Sequence, residues 1–236
     1  MSRNPQPSLD LQKPSGWGGR RPGAGRKAAR DARILHRSRE GLGAQQACHV
    51  TLKVRPEVPS LRSVRLVREL ERSFAGLRQR RDFRLVHYAL QGNHAHLIVE
   101  AKDPEALGRG MKALGARLAR AVNRTFRRKG PVLADRYHLR VLRTPKEVRN
   151  ALAYVLLNAR RHARKASRIC RCDPASSGRW FDGWRRRPEV PRLQERLRSP
   201  PVARARSWLL RAGWRRHGLI DPLEVPRGGG AEGGGK

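Results

Sequence analysis

Apolar and polar positions along the chain follow two periods. Alternating apolar and polar residues, many of them β-branched, predict four strands, at about Ala47–Val54, Phe83–Leu90, His94–Ala101 and Tyr137–Arg143. Apolar residues three and four positions apart predict three helices, at about Leu61–Arg80, Pro104–Val122 and Pro145–Lys165. Because Gly92 and Asn93 separate the second strand from the third, these two strands are predicted to form a hairpin.

The order of these elements is β-α-β-β-α-β, followed by a helix. This order is typical of the ferredoxin-like split βαβ arrangement. We therefore expect an α+β fold with an antiparallel sheet that carries helices on one face and leaves the other face available. The third helix, at the C-terminal end of this unit, is an addition to that arrangement.

Two histidines begin the third predicted strand. His94 and His96 are two positions apart, so their side chains point to the same face and Ala95 points to the other. They are about 7 Å apart along a strand, and two imidazoles so placed can converge on one metal ion. The alternative is an ordinary pair of partly buried polar residues.

The third predicted helix begins with a capping box at Thr144 and Glu147, with Pro145 at its first position. At about 100° per residue, Tyr154 lies nearly opposite the apolar stripe and Asn158 lies on the flank beside it. Residues four apart are neighbours on a helix surface, which places Tyr154 and Asn158 together. The alternative is a solvent-facing tyrosine. The apolar stripe itself consists of Val148, Leu152, Val155, Leu156 and Ala159.

The net charge of the chain indicates what kind of molecule it binds. The 236 residues include 54 Lys and Arg against 19 Asp and Glu, a formal net charge of +35. Such an excess destabilises a compact chain unless a polyanion binds it, and nucleic acid is the leading candidate. An anionic membrane surface is the rival, but no apolar run of 18 residues and no signal peptide is present, so we expect no membrane association and an intracellular protein. Cys48, Cys170 and Cys172 are expected to be free thiols.

Composition sets three parts of the chain apart from residues 44–166. Residues 1–43 are predicted to be a disordered basic tail, residues 167–225 a basic extension that contains tryptophan, and residues 226–236 a Gly-rich flexible tail. The first tail interleaves arginines with Gly and Pro and resembles an AT-hook that binds a narrow minor groove. A plain basic tail attracted to phosphates is the alternative. The predicted DNA contacts in this tail are Arg20, Arg21, Arg26 and Lys27.

Three blocks resemble the HUH-type single-tyrosine transposases, a family that includes the REP-associated tyrosine transposases. They are Gly92-Asn93-His94-Ala95-His96-Leu97-Ile98-Val99, Asp135-Arg136-Tyr137-His138-Leu139-Arg140-Val141-Leu142 and Tyr154-Val155-Leu156-Leu157-Asn158. Their order and spacing match the family, and the resemblance covers the part of the chain predicted to form one domain, residues 44–166. Two positions depart from the family: Ala95 is smaller than the usual hydrophobe, and Asn158 stands where some members have Gln.

The resemblance implies a DNA transposase that cleaves and rejoins single-stranded DNA. His94, His96 and Asn158 would hold Mg²⁺ or Mn²⁺, and Tyr154 on the added catalytic helix would attack a phosphodiester to form a 5′-phosphotyrosine link. The substrate would be a single-stranded DNA hairpin. The protein would be a homodimer, and it would be located in the cytoplasm in association with the nucleoid. Arg160, Arg161, Arg164 and Lys165 extend the helix and would follow the DNA backbone.

Other functions stay open from the sequence alone. A non-catalytic nucleic-acid-binding protein could use the same sheet, with His94 and His96 merely packing. A nuclease could use the same histidines with water as its nucleophile, in which case Tyr154→Phe would leave it active. Tyr88 and Tyr137 are alternative nucleophiles, but neither precedes a potential ligand by four residues on a helix.

Overall fold

The computed structural model describes residues 46–161, 170–191 and 199–226. The described strands are β1 (Gln46–Lys53), β2 (Phe83–Leu90), β3 (His94–Ala101) and β4 (His138–Leu142). The described α-helices are α1 (Val64–Ala75), α2 (Pro104–Thr125), α3 (Pro145–Leu156), α4 (Asn158–Arg161) and α5 (Trp208–Arg211). Short 3₁₀ helices lie at Gly178–Trp180 and Gly213–His217.

The four strands form one antiparallel sheet in the order β2-β3-β1-β4. This is the strand order of the split βαβ arrangement, in which β3 lies between β1 and β2 although it follows both in sequence. The predicted α+β fold with an antiparallel sheet is confirmed. The predicted bounds of β2 and β3 match those observed, although the pairing of β2 with β3 shifts register between Leu85 and His87.

The first face of the sheet packs against α1 and α2. Alternate positions on each strand point to this face, and their buried apolar side chains include Val50, Leu52, Leu97 and Val99. Ser63 caps α1 by accepting a hydrogen bond from the N–H of Leu66. Helix α1 therefore begins at Val64, three residues later than predicted, while Leu61 is buried ahead of the cap. Asp103 caps α2 by accepting a hydrogen bond from the N–H of Ala106.

The second face of the sheet is not left available, and that expectation was wrong. Helix α3 and residues from the C-terminal part of the chain cover it. The physical reason is that this face carries small and apolar side chains, which are stable only when buried. They are Ala47, Val86, Ala89, Ile98 and Leu142, and they pack with Val148, Leu152, Phe181, Leu210 and Trp214.

Helix α3 ends earlier than predicted. We expected one continuous helix from Pro145 to Lys165, but the helix stops at Leu156, and Leu157 adopts φ −108° and ψ 12° before the four-residue α4 begins. Val155, Leu156, Leu157 and Asn158 are all buried. The buried residues therefore continue through the turn at Leu157 into α4.

The C-terminal segment, residues 170–191 and 199–226, also lies along the outer edge of β2. The N–H of Leu90 donates to the carbonyl of Ala175, and the N–H of Ser177 donates to the carbonyl of Tyr88. Further along, the N–H of Ala203 donates to the carbonyl of Leu85. Trp214, 1% exposed, stacks on Phe181 with ring centroids 5.4 Å apart. These residues form part of the same core as α3.

Several predictions fall on parts of the chain that lie outside the described residues. These are the N-terminal tail with Arg20, Arg21, Arg26 and Lys27, the boundaries near residues 43 and 166, and the Gly-rich stretch from residue 227. Within the described ranges, no helix combines the length and the apolar character needed to cross a membrane.

Candidate active site

The candidate site lies on the second face of the sheet, where the central strands β1 and β3 pair. His96 of β3 is opposite Thr51 of β1, and His94 is opposite Lys53. His49 lies two residues before Thr51 and therefore on the same face. Alternation places these side chains on one face of the sheet, and the register between β1 and β3 brings them together.

His94 and His96 converge as the sequence predicts. Their Nε2 atoms are 3.1 Å apart, and the ring planes are nearly perpendicular, at 84°. Two ligands in adjacent positions around one metal ion are separated by about 3 Å when each bond is about 2.1 Å long. The pair therefore has the spacing that two ligands of one divalent cation require.

The outer nitrogens of both rings are engaged. The Nδ1 of His94 donates to the amide oxygen of Asn93 at 2.8 Å, which leaves a lone pair on Nε2. The Nδ1 of His96 is 3.2 Å from both the Thr51 hydroxyl oxygen and the Nε2 of His49. When Nδ1 of His96 donates to Thr51, its Nε2 also presents a lone pair toward His94. Such outer contacts orient histidines for metal binding.

His49 supports His96 from behind. Burial, with the nearby positive charge of Arg140, lowers the pKa of His49 to about 4. His49 is therefore neutral at physiological pH, and it can accept or donate one hydrogen bond without adding charge to the site. The Nε2 atom of His49 contacts the Nδ1 atom of His96. His49 therefore lies on the opposite side of the His96 ring from the Nε2 atom that faces His94.

Tyr154 reaches this cluster from α3. Its ring packs edge-on against His96, with centroids 5.0 Å apart and planes at 79°, and also against His49 at 5.7 Å. Helix α3 is held in place by the predicted capping box, in which Thr144 and Glu147 each accept a hydrogen bond from the other's backbone N–H. Tyr154 thus lies beside the histidines, and it also packs against the apolar cluster that contains Val148, Leu152 and Val155.

Asn158 differs from Tyr154 in its surroundings. It is 0% exposed, and neither its amide oxygen nor its amide nitrogen has a hydrogen-bond partner among the described residues. Asn158 is the first residue of α4, whereas Tyr154 belongs to α3. Its assignment as a third metal ligand stays a prediction. Among the described residues no group of three or more His, Cys, Asp or Glu is arranged to hold a metal.

The other tyrosines lie elsewhere. Tyr88 is 0% exposed, and its hydroxyl donates to Glu71 on α1 at 3.1 Å. Burial and the Glu71 carboxylate raise its pKa well above the ordinary value. Tyr137 packs against the core of the first face. Neither therefore shares the face that carries His94 and His96.

The predicted DNA contacts near α4 are described only in part. Arg160 and Arg161 belong to α4, immediately after Asn158, while Arg164 and Lys165 lie outside the described residues. The sequence reasoning missed His49 and Thr51. Both share the alternation of β1, but their approach to His96 depends on the register between β1 and β3, which the alternation does not specify.

No protein-family model matches the sequence, and no curated protein matches it. Solved structures that are similar to it include two at low sequence identity. The first is a REP-associated tyrosine transposase bound to a REP hairpin, with 14% identity and a TM-score of 0.46 over 55% of this chain and 75% of that chain. The second is a candidate transposase from Deinococcus radiodurans R1, with 16% identity and a TM-score of 0.34 over 45% of this chain and 86% of that one.

A tyrosine transposase is thus among the structures similar to this chain. At sequence identities this low, the similarity to these structures does not establish the chemistry of the site. Which chemistry the site performs depends on the side chains of this chain itself.

Proposed function

We propose that this protein is a transposase that cleaves and rejoins single-stranded DNA, with Tyr154 as the nucleophile. The observation that carries the proposal is the packing of Tyr154 against His96, whose Nε2 faces that of His94 at 3.1 Å. A phenol and a two-imidazole site on one surface are the components of metal-assisted phosphoryl transfer.

His94 and His96 would hold Mg²⁺ or Mn²⁺ through their Nε2 atoms, with Asn158 proposed as a third ligand. When bound, the cation would polarise the scissile phosphate and stabilise negative charge on the leaving oxygen. Asn93 and Thr51 contact the Nδ1 atoms of the two rings, and with both Nδ1 atoms protonated the two Nε2 atoms would present lone pairs to it. Imidazole suits Mn²⁺ better than Mg²⁺, so we expect weak binding until DNA supplies oxygen ligands.

Tyr154 would supply the covalent step. Its oxygen bonds to phosphorus, the bond from phosphorus to the 3′ oxygen breaks, the phenolic proton is released, and the 3′ oxygen takes up a proton. The product is a 5′-phosphotyrosine link with a free 3′-hydroxyl. Because the phosphodiester is replaced by another ester, attack by a DNA hydroxyl can rejoin the strand without an external energy source.

The partner proposed is DNA, as a single-stranded hairpin, and the net charge of +35 supports a polyanion. Arg160 and Arg161 on α4 would follow its backbone. We also propose, from the sequence resemblance, that the protein forms a homodimer and is located at the nucleoid.

The test is incubation of the purified chain with labelled single-stranded hairpins from the flanks of its own gene, with Mn²⁺ or Mg²⁺, followed by a denaturing gel. We expect a covalent adduct that disappears in Tyr154→Phe and in His94→Ala. Tyr137→Phe is the matched control, because it removes the same hydroxyl from the other face of the sheet, and it should retain the adduct.

Two outcomes would replace this proposal with another. Cleavage that persists in Tyr154→Phe, without an adduct, would indicate a nuclease that uses water. Tight DNA binding without adduct or cleavage by any flanking strand would indicate a non-catalytic nucleic-acid-binding protein.

A further inference from the structure

A cavity of about 420 Å³ lies within residues 172–190, and none of the candidate catalytic residues lines it. Its volume is within the range of pockets that bind small ligands. Three aromatic side chains and two arginines line it, namely Trp180, Phe181, Trp184, Arg179 and Arg187. The sequence showed tryptophans among arginines in this segment but did not show that they enclose a space.

Arg179 is a buried cation with incomplete pairing. Its side chain is 5% exposed, and its nearest carboxylate, Glu71, is 3.7 Å away and also accepts a hydrogen bond from Tyr88. The Nε and Nη2 atoms of Arg179 have no hydrogen-bond acceptor among the described residues. A buried charged donor without an acceptor is costly, so these atoms require an acceptor such as water or a bound ligand.

Trp180 adds a second unpaired donor. Its Nε1 is buried and has no acceptor among the described residues, and the guanidinium of Arg179 lies 4.6 Å from the centre of its ring. By contrast, Nε1 of Trp184 donates to the carbonyl of Gly178 at 2.8 Å. The cavity therefore combines aromatic walls with donors that call for an acceptor-rich ligand.

The walls are held by packing outside the cavity. Phe181 lies between Trp184, edge-on at 5.1 Å, and Trp214, stacked at 5.4 Å. A carboxylate also lines the cavity, that of Asp182, and it pairs with Arg215 at 2.9 Å. Such fixed aromatic surfaces bind ligands at a small entropic cost.

We propose that this cavity binds one unpaired nucleotide of single-stranded DNA. The base lies against the aromatic walls, as bases do on aromatic residues of single-strand-binding proteins, and Arg179 and Arg187 donate to its phosphate. The inference rests on the proposed function, which makes single-stranded DNA the substrate, and it adds a recognition site away from the histidines. Such a site would select a strand by an extruded base before any cleavage.

The experiment is photocrosslinking of a short single strand that carries one 5-iodouracil, with the full chain, followed by peptide mapping. EDTA removes the divalent cation, and about 0.3 M salt weakens binding that depends on charge alone. We expect the crosslink at Trp180 or Trp184. In a titration under the same conditions, Arg187→Gln should weaken binding of the strand about fivefold to tenfold.

Arg185→Gln is the matched control. Arg185 is two residues away, is exposed, and donates its backbone N–H to the carbonyl of Ile220. It does not line the cavity, so the same loss of charge should change affinity less than twofold. Crosslinks found only elsewhere, or equal effects of the two substitutions, would overturn the proposal.

The two proposals can fail separately. Tyr154→Phe abolishes the covalent adduct if the tyrosine chemistry is right, but it should leave the crosslink at Trp180 or Trp184 unchanged. A crosslink in the cavity without any adduct under cleavage conditions would refute the tyrosine mechanism alone. An adduct without a cavity crosslink would refute the nucleotide site alone.

Discussion

The ring of Tyr154 packs edge-on against the ring of His96, with centroids 5.0 Å apart. The two residues belong to different elements, since Tyr154 is on α3 and His96 is on β3. Their distance therefore depends on how α3 packs on the second face of the sheet, through residues such as Val148 and Leu152 against Ile98. Substitutions that loosen this packing should weaken the proposed catalysis without touching either ring.

Thr51 provides a test of how His96 is oriented. Thr51→Val removes the hydroxyl that contacts Nδ1 of His96 at 3.2 Å and keeps the β-branched shape that suits a strand. Loss of a group that orients a metal-binding histidine costs about tenfold to a hundredfold in metal affinity or activity. We expect that loss in Mn²⁺-dependent adduct formation. Thr51→Ser keeps the hydroxyl and should retain most of the activity, and equal losses in both variants would contradict the role given to Thr51.

Removal of metal gives a second prediction. EDTA should abolish adduct formation, and Mn²⁺ should restore it at least as well as Mg²⁺, because imidazole nitrogen binds Mn²⁺ more readily. His96→Ala should not be restored by either ion. His217→Ala, which changes the last residue of the 3₁₀ helix Gly213–His217, is the control and should respond to metal as the unmodified chain does. Adduct formation in EDTA would exclude a metal requirement.

His87 makes stability depend on pH. It is buried between Ser177, 3.1 Å from its Nδ1, and the Phe181 ring, and burial lowers its pKa to about 4 from 6.5. Between pH 6.5 and 4, His87 therefore binds a proton in the unfolded chain but stays neutral in the folded chain. The contribution of His87 to stability is complete above pH 6.5 and falls as pH decreases toward 4, by up to about 3 kcal/mol.

Chemical unfolding between pH 7.5 and 4.5 measures this effect. In His87→Gln the decrease in unfolding free energy toward low pH should be smaller by the contribution of about one proton. His49, with its similarly lowered pKa, should account for part of the remaining slope. An unchanged slope in His87→Gln would show that His87 titrates alike in the folded and unfolded chains.

Two glycines of α2 should respond in opposite ways to alanine. A Cβ at Gly110 would overlap the ring of Phe83, which is 0% exposed and cannot move aside, whereas a Cβ at Gly108 would meet no atom within 4 Å. Gly110→Ala should therefore destabilise the protein by about 1 to 3 kcal/mol through overpacking. Gly108→Ala should stabilise it by about 0.5 to 1 kcal/mol, since alanine favours helix. Thermal unfolding of both variants measures the difference.

Local patterns account for much of the fold. The bounds of β2 and β3 were predicted to the residue, and the capping box at Thr144 is where α3 begins. The convergence of His94 and His96 also follows from alternation along one strand. These features depend on neighbours in sequence, which a single sequence displays.

The features that were missed depend on distant contacts. The helical period did not indicate the break at Leu157, nor that both Leu157 and Asn158 are buried. His49 and Thr51 approach His96 only through the pairing of β1 with β3. The covering of the second face depends on Phe181 and Trp214, which are separated from the sheet by stretches with no clear period.

The backbone bonds along β2 determine how the sheet can grow. With Leu85, Tyr88 and Leu90 bonded to the C-terminal segment, an incoming strand cannot add at that side. Within the described residues, the opposite border is β4, only five residues long and carrying the exposed Arg140. Short, charged borders resist strand addition. Two copies of this chain would therefore contact each other through side chains and helices. Joining two four-stranded sheets into one continuous eight-stranded sheet is disfavoured at both borders.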